Sequence, residues 1–350
     1  MKNDHEHSFR RHLLICLGTA LGICAVVEIA CVLLGVAPLF TPNLPLNEKM
    51  RFLRDHRPGP TPIGVISGAS IALNDIDSDL LEDSEGRPFV NLGANGISVP
   101  TSEQFYKQLA ELYPVREVIF ATSPVELRDA YRSDVQVPTA VFRRYVLGRM
   151  TMAEEFTYRD IPGLISYVKN WHDYHSRTAP TSLVFTKTGA VPLDIDPGAA
   201  EYRAETNEAL DLNPNCVHCM DDLARFCRDV RGVGRPFTVV LGPVRPNVLE
   251  HSPKIRAVVA NRRAQIRAVV QECNATLFDI TDYATLDDSC FANSLHLNAQ
   301  GMSAMAAQLE RFRRGQSIPK GMALRCGGPR VARASSSGGE KVSAPGASSE

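Results

Sequence analysis

The sequence predicts an α/β protein in which a mostly parallel sheet lies between two layers of helices, a three-layer α/β/α domain. Short apolar runs typical of buried strands recur along the chain and end in glycine-bearing or polar turns. Stretches with the apolar spacing of helices alternate with these runs, which favours βαβ units and a sheet covered on both faces. A long apolar segment near the N-terminus adds a predicted membrane helix.

The composition excludes several classes of protein. The 350 residues carry 38 Lys and Arg against 39 Asp and Glu, a net charge of −1, which argues against a nucleic-acid-binding surface. The chain is 44% hydrophobic, so it is not disordered throughout, and it is long enough to bury a large core.

Residues 13–40 contain a single charge, Glu28, and follow Arg10 and Arg11. About 20 apolar residues span a bilayer, so this stretch predicts a transmembrane anchor, with residues 1–12 cytoplasmic and the remaining chain extracytoplasmic, as in a periplasm. A cleaved signal peptide is the alternative. The Glu28 side chain either extends to the membrane–water interface or contacts another membrane protein.

The chain after the anchor predicts a linker, one domain and a tail. A Pro-rich linker covers 41–62, the domain covers 63–325 with a largely helical insertion at about 130–235, and a Gly/Ser/Pro/Ala-rich tail at 326–350 is predicted to be disordered. The predicted strands are 63–66, 88–92, 117–121, 237–241 and 276–280, and the predicted helices flanking them are 101–112, 253–273 and 299–312.

Three polar segments each follow a predicted strand, and a fourth lies near the end of the domain. Gly68-Ala69-Ser70 follows the first strand, and Asn91-Leu92-Gly93-Ala94-Asn95-Gly96 follows the second. Ser123-Pro124-Val125-Glu126 follows the third, and the block from Phe291 to Gly301 reads FANSLHLNAQG. Because a parallel sheet gathers its functional residues beyond the carboxyl ends of the strands, we expect these segments to meet there.

In this order the four segments resemble the SGNH (GDSL-like) hydrolase superfamily, whose last block reads F-x-D-x-x-H-x-N-x-x-G. The likeness covers roughly 63–126 and 236–312. It implies that Ser70 is a nucleophile, that His296 is its base, and that the backbone N–H groups of Ser70 and Gly96 stabilise an oxyanion. Taken alone, Ser70 is more typical of a serine that caps a helix, and Gly96 is equally typical of a positive-φ turn.

Two positions depart from the family pattern. Asn293 stands where the family has Asp, so it is predicted to orient His296 without offsetting the imidazolium charge; Asp287 or Asp288 is an alternative source of a carboxylate. The third turn lacks the family's Gly-x-Asn-Asp, and Ser123 or Asn95 is the candidate substitute for its oxyanion donor.

The cysteines favour one structural disulfide among Cys216, Cys219, Cys227, Cys273 and Cys290 over a metal site. No cofactor is implied.

With its predicted anchor, the chain is similar to the SGNH-like proteins of polymer O-acetylation and teichoic-acid D-alanylation. That similarity implies a membrane-anchored serine esterase or O-acyltransferase acting through a Ser70 ester on a cell-surface glycan, beside a multi-spanning acyltransferase, with no nucleic-acid partner. The alternative is a catalytically impaired accessory subunit of the same fold that binds a glycan or a membrane acyltransferase.

Overall fold

The computed structural model describes residues 2–33, 36, 39–82, 85–127, 136–195 and 217–326. Its centre is a five-stranded sheet in the order β2-β1-β3-β4-β5, and every neighbouring pair of strands is parallel. The strands are β1 Ile63–Gly68, β2 Phe89–Asn91, β3 Val115–Thr122, β4 Phe237–Leu241 and β5 Thr276–Asp279.

The helices are distributed along the whole chain. Their bounds are α1 Lys2–Leu33, α2 Leu44–Asp55, α3 Ser70–Asn74, α4 Val99–Ala110, α5 Thr139–Val146, α6 Met152–Tyr158, α7 Ile161–Lys169, α8 Trp171–Tyr174, α9 Val217–Gly232, α10 Pro246–His251, α11 Pro253–Glu272 and α12 Ala299–Arg313. Two short strands, β6 Ala284–Leu286 and β7 Met322–Leu324, form a separate parallel pair.

Alternate residues of the central strands supply two hydrophobic cores, one on each face of the sheet. Val65 and Phe120 belong to one core together with α4, α9 and α11. Ile66 and Ile119 belong to the other, together with α3 and α12. A strand buried on both faces needs apolar residues at every position, which explains the continuous apolar runs in the sequence. The predicted three-layer α/β/α class is confirmed, and the sheet is parallel throughout these five strands.

Part of the predicted linker at 41–62 is the helix α2. Asn43 caps it by accepting a hydrogen bond from the Leu46 N–H, and Pro45 stands in its first turn, where its missing N–H costs nothing. Met50 and Leu53 are fully buried in the domain core. The Pro-rich composition indicated a linker, but here proline marks the start of a packed helix.

The N-terminal helix α1 contains a stretch, Ser8–Cys31, that is long and apolar enough to cross a membrane. Near its end, both carboxylate oxygens of Glu28 accept hydrogen bonds from the Arg159 guanidinium at 2.8 and 2.9 Å. Both side chains are buried. Glu28 therefore pairs within this chain, which differs from both sequence interpretations of this residue.

The described cysteines form more disulfides than the one predicted. Cys227 is bonded to Cys273, which joins α9 to the C-terminal end of α11, and Cys290 is bonded to Cys326. Cys219 is also disulfide-bonded. Cys326 was not among the predicted candidates because it lies at the edge of the predicted tail. Cys216 and residues 327–350 of that tail lie outside the described residues.

Candidate active site

The carboxyl ends of β1 and β3 lie side by side at the centre of the sheet. The chain crosses from β1 to β2 on one side and continues from β3 to β4 on the other, so the strand order reverses here. Open α/β sheets bind ligands in the crevice at such a reversal. The segments after β1 and β3 therefore occupy the place where a site is expected.

Ser70 opens the five-residue helix α3 directly after β1. Gly68 reaches that turn with φ +142°, and a Cβ on it would collide with the carbonyl oxygen of Ala121. Only glycine fits this backbone. Ser70 is partly exposed, and its hydroxyl donates a 2.6 Å hydrogen bond to Oε1 of Glu126. The helix-capping interpretation of Ser70 does not hold, because Ala69 is the N-cap and no side chain caps α3.

Glu126 comes from the turn after β3. The Oγ of Ser123 accepts a hydrogen bond from the Glu126 backbone N–H, and the buried guanidinium of Arg262 donates to the carbonyls of Pro124 and Leu127 on either side. Besides Ser70, Oε1 of Glu126 accepts the backbone N–H of Ile71 at 3.2 Å. Ser70 and Ile71 of α3 thus donate to this carboxyl group, and Arg262 of α11 holds the turn that carries it.

Burial raises the pKa of the Glu126 carboxyl, because taking a carboxylate out of water penalises its charged form. The hydrogen bond from Ser70 and the charge of His296 act in the opposite direction, and the charge of Asp75 adds to the rise. Oε2 of Glu126 is buried and has no hydrogen-bond partner among the described residues.

His296 lies in the loop before α12, with its side chain 19% exposed. Its Nδ1 lies 3.6 Å from Oδ1 of Asp75, and the same oxygen accepts the Leu297 backbone N–H at 3.0 Å. Asp75 follows α3 and is fully buried. Burial raises its pKa, whereas the neighbouring imidazole of His296 and the hydrogen bond from the Leu297 N–H lower it. Asp75 is thus the carboxylate beside the imidazole.

Asn293, predicted to orient His296, contacts the backbone of its own turn. Its Oδ1 accepts the N–H groups of Leu295 and His296, each at 2.9 Å. The side chain therefore shapes the loop that carries His296, while Asp75 lies beside the ring. The carboxylate comes from the segment after β1 instead of from the histidine block.

The other residues predicted from the sequence as site candidates make contacts in the turns around Ser70 and His296. Oδ1 of Asp287 accepts the backbone N–H of Ser289, and Asp288 pairs with Arg245. Gly96 is exposed in a turn with φ +71°, and Oδ1 of the adjacent Asn95 accepts a hydrogen bond from Asn74 of α3. This hydrogen bond connects the turn of Gly96 to the helix that carries Ser70.

Sequence reasoning missed Asp75 and Glu126 as functional residues. Two signals were available: Asp75 stands five residues beyond Ser70, and Glu126 is the acidic residue of the third turn, which lacks the family's Gly-x-Asn-Asp. Acidic residues are otherwise common at turns and caps, so composition alone does not distinguish these two.

The geometry joins a partly exposed hydroxyl, two buried carboxyl groups and an imidazole at one edge of the sheet. Such a set can accept a proton from the hydroxyl and return it to a leaving group. Within the described residues, no group of three or more His, Cys, Asp or Glu side chains could hold a metal ion.

No family model matches the chain, and no curated protein matches it. Three solved structures to which it is similar are an acetylxylan esterase from Geobacillus stearothermophilus, a lipase/acylhydrolase from Enterococcus faecalis and a carbohydrate acetylesterase family member from Sinorhizobium meliloti. Their identities are 14%, 13% and 13%, and their TM-scores 0.38, 0.34 and 0.33. The matches cover 75%, 74% and 73% of this chain and 98%, 99% and 100% of theirs.

Proposed function

We propose that this protein is a serine ester hydrolase or O-acyltransferase in which Ser70 forms the acyl-ester intermediate. The observation that carries the proposal is the position of Glu126, which accepts the Ser70 hydroxyl hydrogen bond and lies within the electrostatic reach of His296. A hydroxyl that donates to a proton acceptor, with an imidazole acting on that acceptor, is an arrangement suited to covalent acyl transfer.

His296 moves protons between the reacting oxygens, and Asp75 holds its Nδ1 side and balances the imidazolium charge. We assign oxyanion stabilisation to the backbone N–H groups of Ser70 and Gly96. The loss of one such donor typically costs about 10²–10³ in rate. The accessory-subunit alternative rested on Asn293 in place of an aspartate and on the missing Gly-x-Asn-Asp of the third turn. The Asp75 carboxylate beside His296 answers the first of these grounds and favours an enzyme.

We further propose that the domain lies outside the cytoplasm and is anchored to the membrane by the helix that contains residues 8–31. The cations Arg10 and Arg11 precede the apolar stretch, which favours a cytoplasmic N-terminus. The disulfides Cys227–Cys273 and Cys290–Cys326 suit an oxidising compartment. A cell-surface glycan hydroxyl, supplied with acyl groups by a multi-spanning acyltransferase, is the acceptor we propose beside water.

Labelling with a fluorophosphonate serine probe tests the nucleophile. The full-length chain in detergent should take up one probe, located on the peptide containing Ser70, and Ser70→Ala should take up none. Hydrolysis of an aryl acetate should be lost in Ser70→Ala and strongly reduced in His296→Ala. Labelling that persists in Ser70→Ala would refute the assignment.

A further inference from the structure

We infer that Glu126 is the general base that accepts the Ser70 proton, and that His296 acts as the acid that protonates the leaving group. The inference deepens the proposed function and rests on it. In the family that the sequence resembles, the histidine is the base. Here the Ser70 hydroxyl donates to a carboxylate oxygen at 2.6 Å.

Distance is the first criterion for a general base. A base must lie about 2.6–3.2 Å from the oxygen whose proton it takes, and Oε1 of Glu126 meets this condition with Ser70. The Ile71 N–H donates to the same oxygen and fixes its position. Arg262 of α11, which donates to the carbonyls of Pro124 and Leu127, holds the turn from the other side. The acceptor is therefore positioned before substrate arrives.

Electrostatics supply the second criterion. A buried carboxylate is a stronger base than an exposed one, and burial raises the pKa of Glu126 above its ordinary value. The charged groups acting on it are His296, which favours the carboxylate, and Asp75, which opposes it. Asp75 in turn pairs with His296, so an imidazolium between two carboxylates is compensated on both sides.

The proton balance closes over both half-reactions. Ser70 Oγ bonds to the acyl carbon while its proton passes to Oε1 of Glu126, and the imidazolium of His296 protonates the alkoxide whose bond to that carbon breaks. In the second half, the neutral imidazole takes a proton from water or an acceptor hydroxyl, whose oxygen bonds to the acyl carbon. The Ser70 oxygen then leaves and recovers its proton from Glu126. The site returns to its starting protonation state.

Fluorophosphonate labelling rates separate this arrangement from a histidine base, because fluoride leaves with little help from an acid. On the alkaline plateau of the pH profile, Glu126→Gln should lower the labelling rate of the full-length chain about 10²–10⁴-fold. His296→Ala should lower it far less. Glu126→Asp, which restores a carboxylate at a longer distance, should fall between wild type and Glu126→Gln. The control Glu250→Gln, an exposed residue of α10, should label like wild type.

A second readout uses the leaving group of the substrate. His296→Ala should lower kcat/KM for an alkyl ester much more than for an aryl ester with the same acyl group. The ratio kcat/KM reports the steps up to acylation, in which an alkoxide needs a proton to depart, whereas the second half-reaction is common to both esters. Near-wild-type labelling of Glu126→Gln, with labelling abolished in His296→Ala and in Ser70→Ala, would overturn the inference and leave the serine enzyme intact. Wild-type protein that does not label at Ser70 would overturn both.

Discussion

The carboxylate of Asp75 lies 3.6 Å from Nδ1 of His296 and accepts the backbone N–H of the next residue, Leu297. One fully buried group thus lies beside the imidazole ring and holds the loop that carries it. Asp75 directly follows the last residue of α3, so its hydrogen bond with Leu297 also connects the histidine loop to the helix that begins at Ser70.

Replacing Asp75 by Asn should lower kcat by about 10³–10⁴-fold, because the amide keeps a similar shape but cannot balance the imidazolium charge. Asn293→Asp is the matched comparison, and should leave kcat within about threefold of wild type because the carboxylate still accepts the two backbone N–H groups. Steady-state hydrolysis of an aryl acetate measures both. An unchanged Asp75→Asn enzyme together with a faster Asn293→Asp enzyme would assign the orienting role to residue 293.

Glu126→Gln should make the protein more stable at neutral pH while it impairs the reaction. The folded-state pKa of Glu126 is raised, so wild type loses stability as the pH rises through that pKa, whereas glutamine carries no charge to bury. We expect a gain of about 1 kcal/mol at neutral pH. The gain should shrink as the pH falls below about 4, where glutamate becomes protonated in both the folded and the unfolded state.

Denaturant unfolding of the two proteins at both pH values measures this difference, with Glu250→Gln as the exposed control. An equal difference at both pH values would show that the Glu126 charge does not act on stability.

Arg262→Lys should lower turnover by displacing the turn that carries Glu126. Arg262 is buried and donates to the carbonyls of Pro124 and Leu127, and an ammonium group cannot reproduce the fork of a guanidinium. Small misplacements at a reacting centre cost about 10²-fold in rate. Arg256→Lys alters an exposed arginine of the same helix and should change kcat little. Equal kcat values for the two variants would contradict this role.

Gly301→Ala should destabilise the histidine block. A Cβ at this position would collide with the carbonyl oxygen of Cys290, while the Gly301 N–H donates to the cap residue Asn298. Overpacking typically costs about 1–3 kcal/mol. Gly232→Ala, at the open end of α9, meets no atom within 4 Å and is the control. Thermal unfolding that is the same for both variants would contradict the close approach.

Arg159→Leu should detach the domain from the end of α1, because it leaves the buried Glu28 carboxylate without this guanidinium. Breaking a buried pair by removing one partner typically costs about 3–5 kcal/mol. In vesicles, limited proteolysis near residue 36 should accelerate in Arg159→Leu. The double change Glu28→Leu/Arg159→Leu should restore much of the protection, since no charge is left buried alone. Unchanged proteolysis in the single variant would contradict the docking.

The sequence predicted the parallel sheet, its five strands and the placement of Ser70 and His296, because buried strands and the histidine block have strong local patterns. It could not predict Asp75 or Glu126 as site residues, since their roles arise from contacts between segments that follow different strands. The pairing of Glu28 with Arg159 was hidden for the same reason. Residues within one motif, such as Asn298 and Gly301, were easier to predict because their contacts are local.

The central claim, that Ser70 carries an acyl group during turnover, is tested most directly by trapping that ester. The full-length chain in detergent is mixed with an aryl acetate, quenched in acid and digested, and the peptide masses are measured by mass spectrometry. We predict one acetyl group on the peptide containing Ser70 and none in Ser70→Ala. A chain that hydrolyses the ester without acetylating Ser70, or that is acetylated equally in Ser70→Ala, would contradict the account.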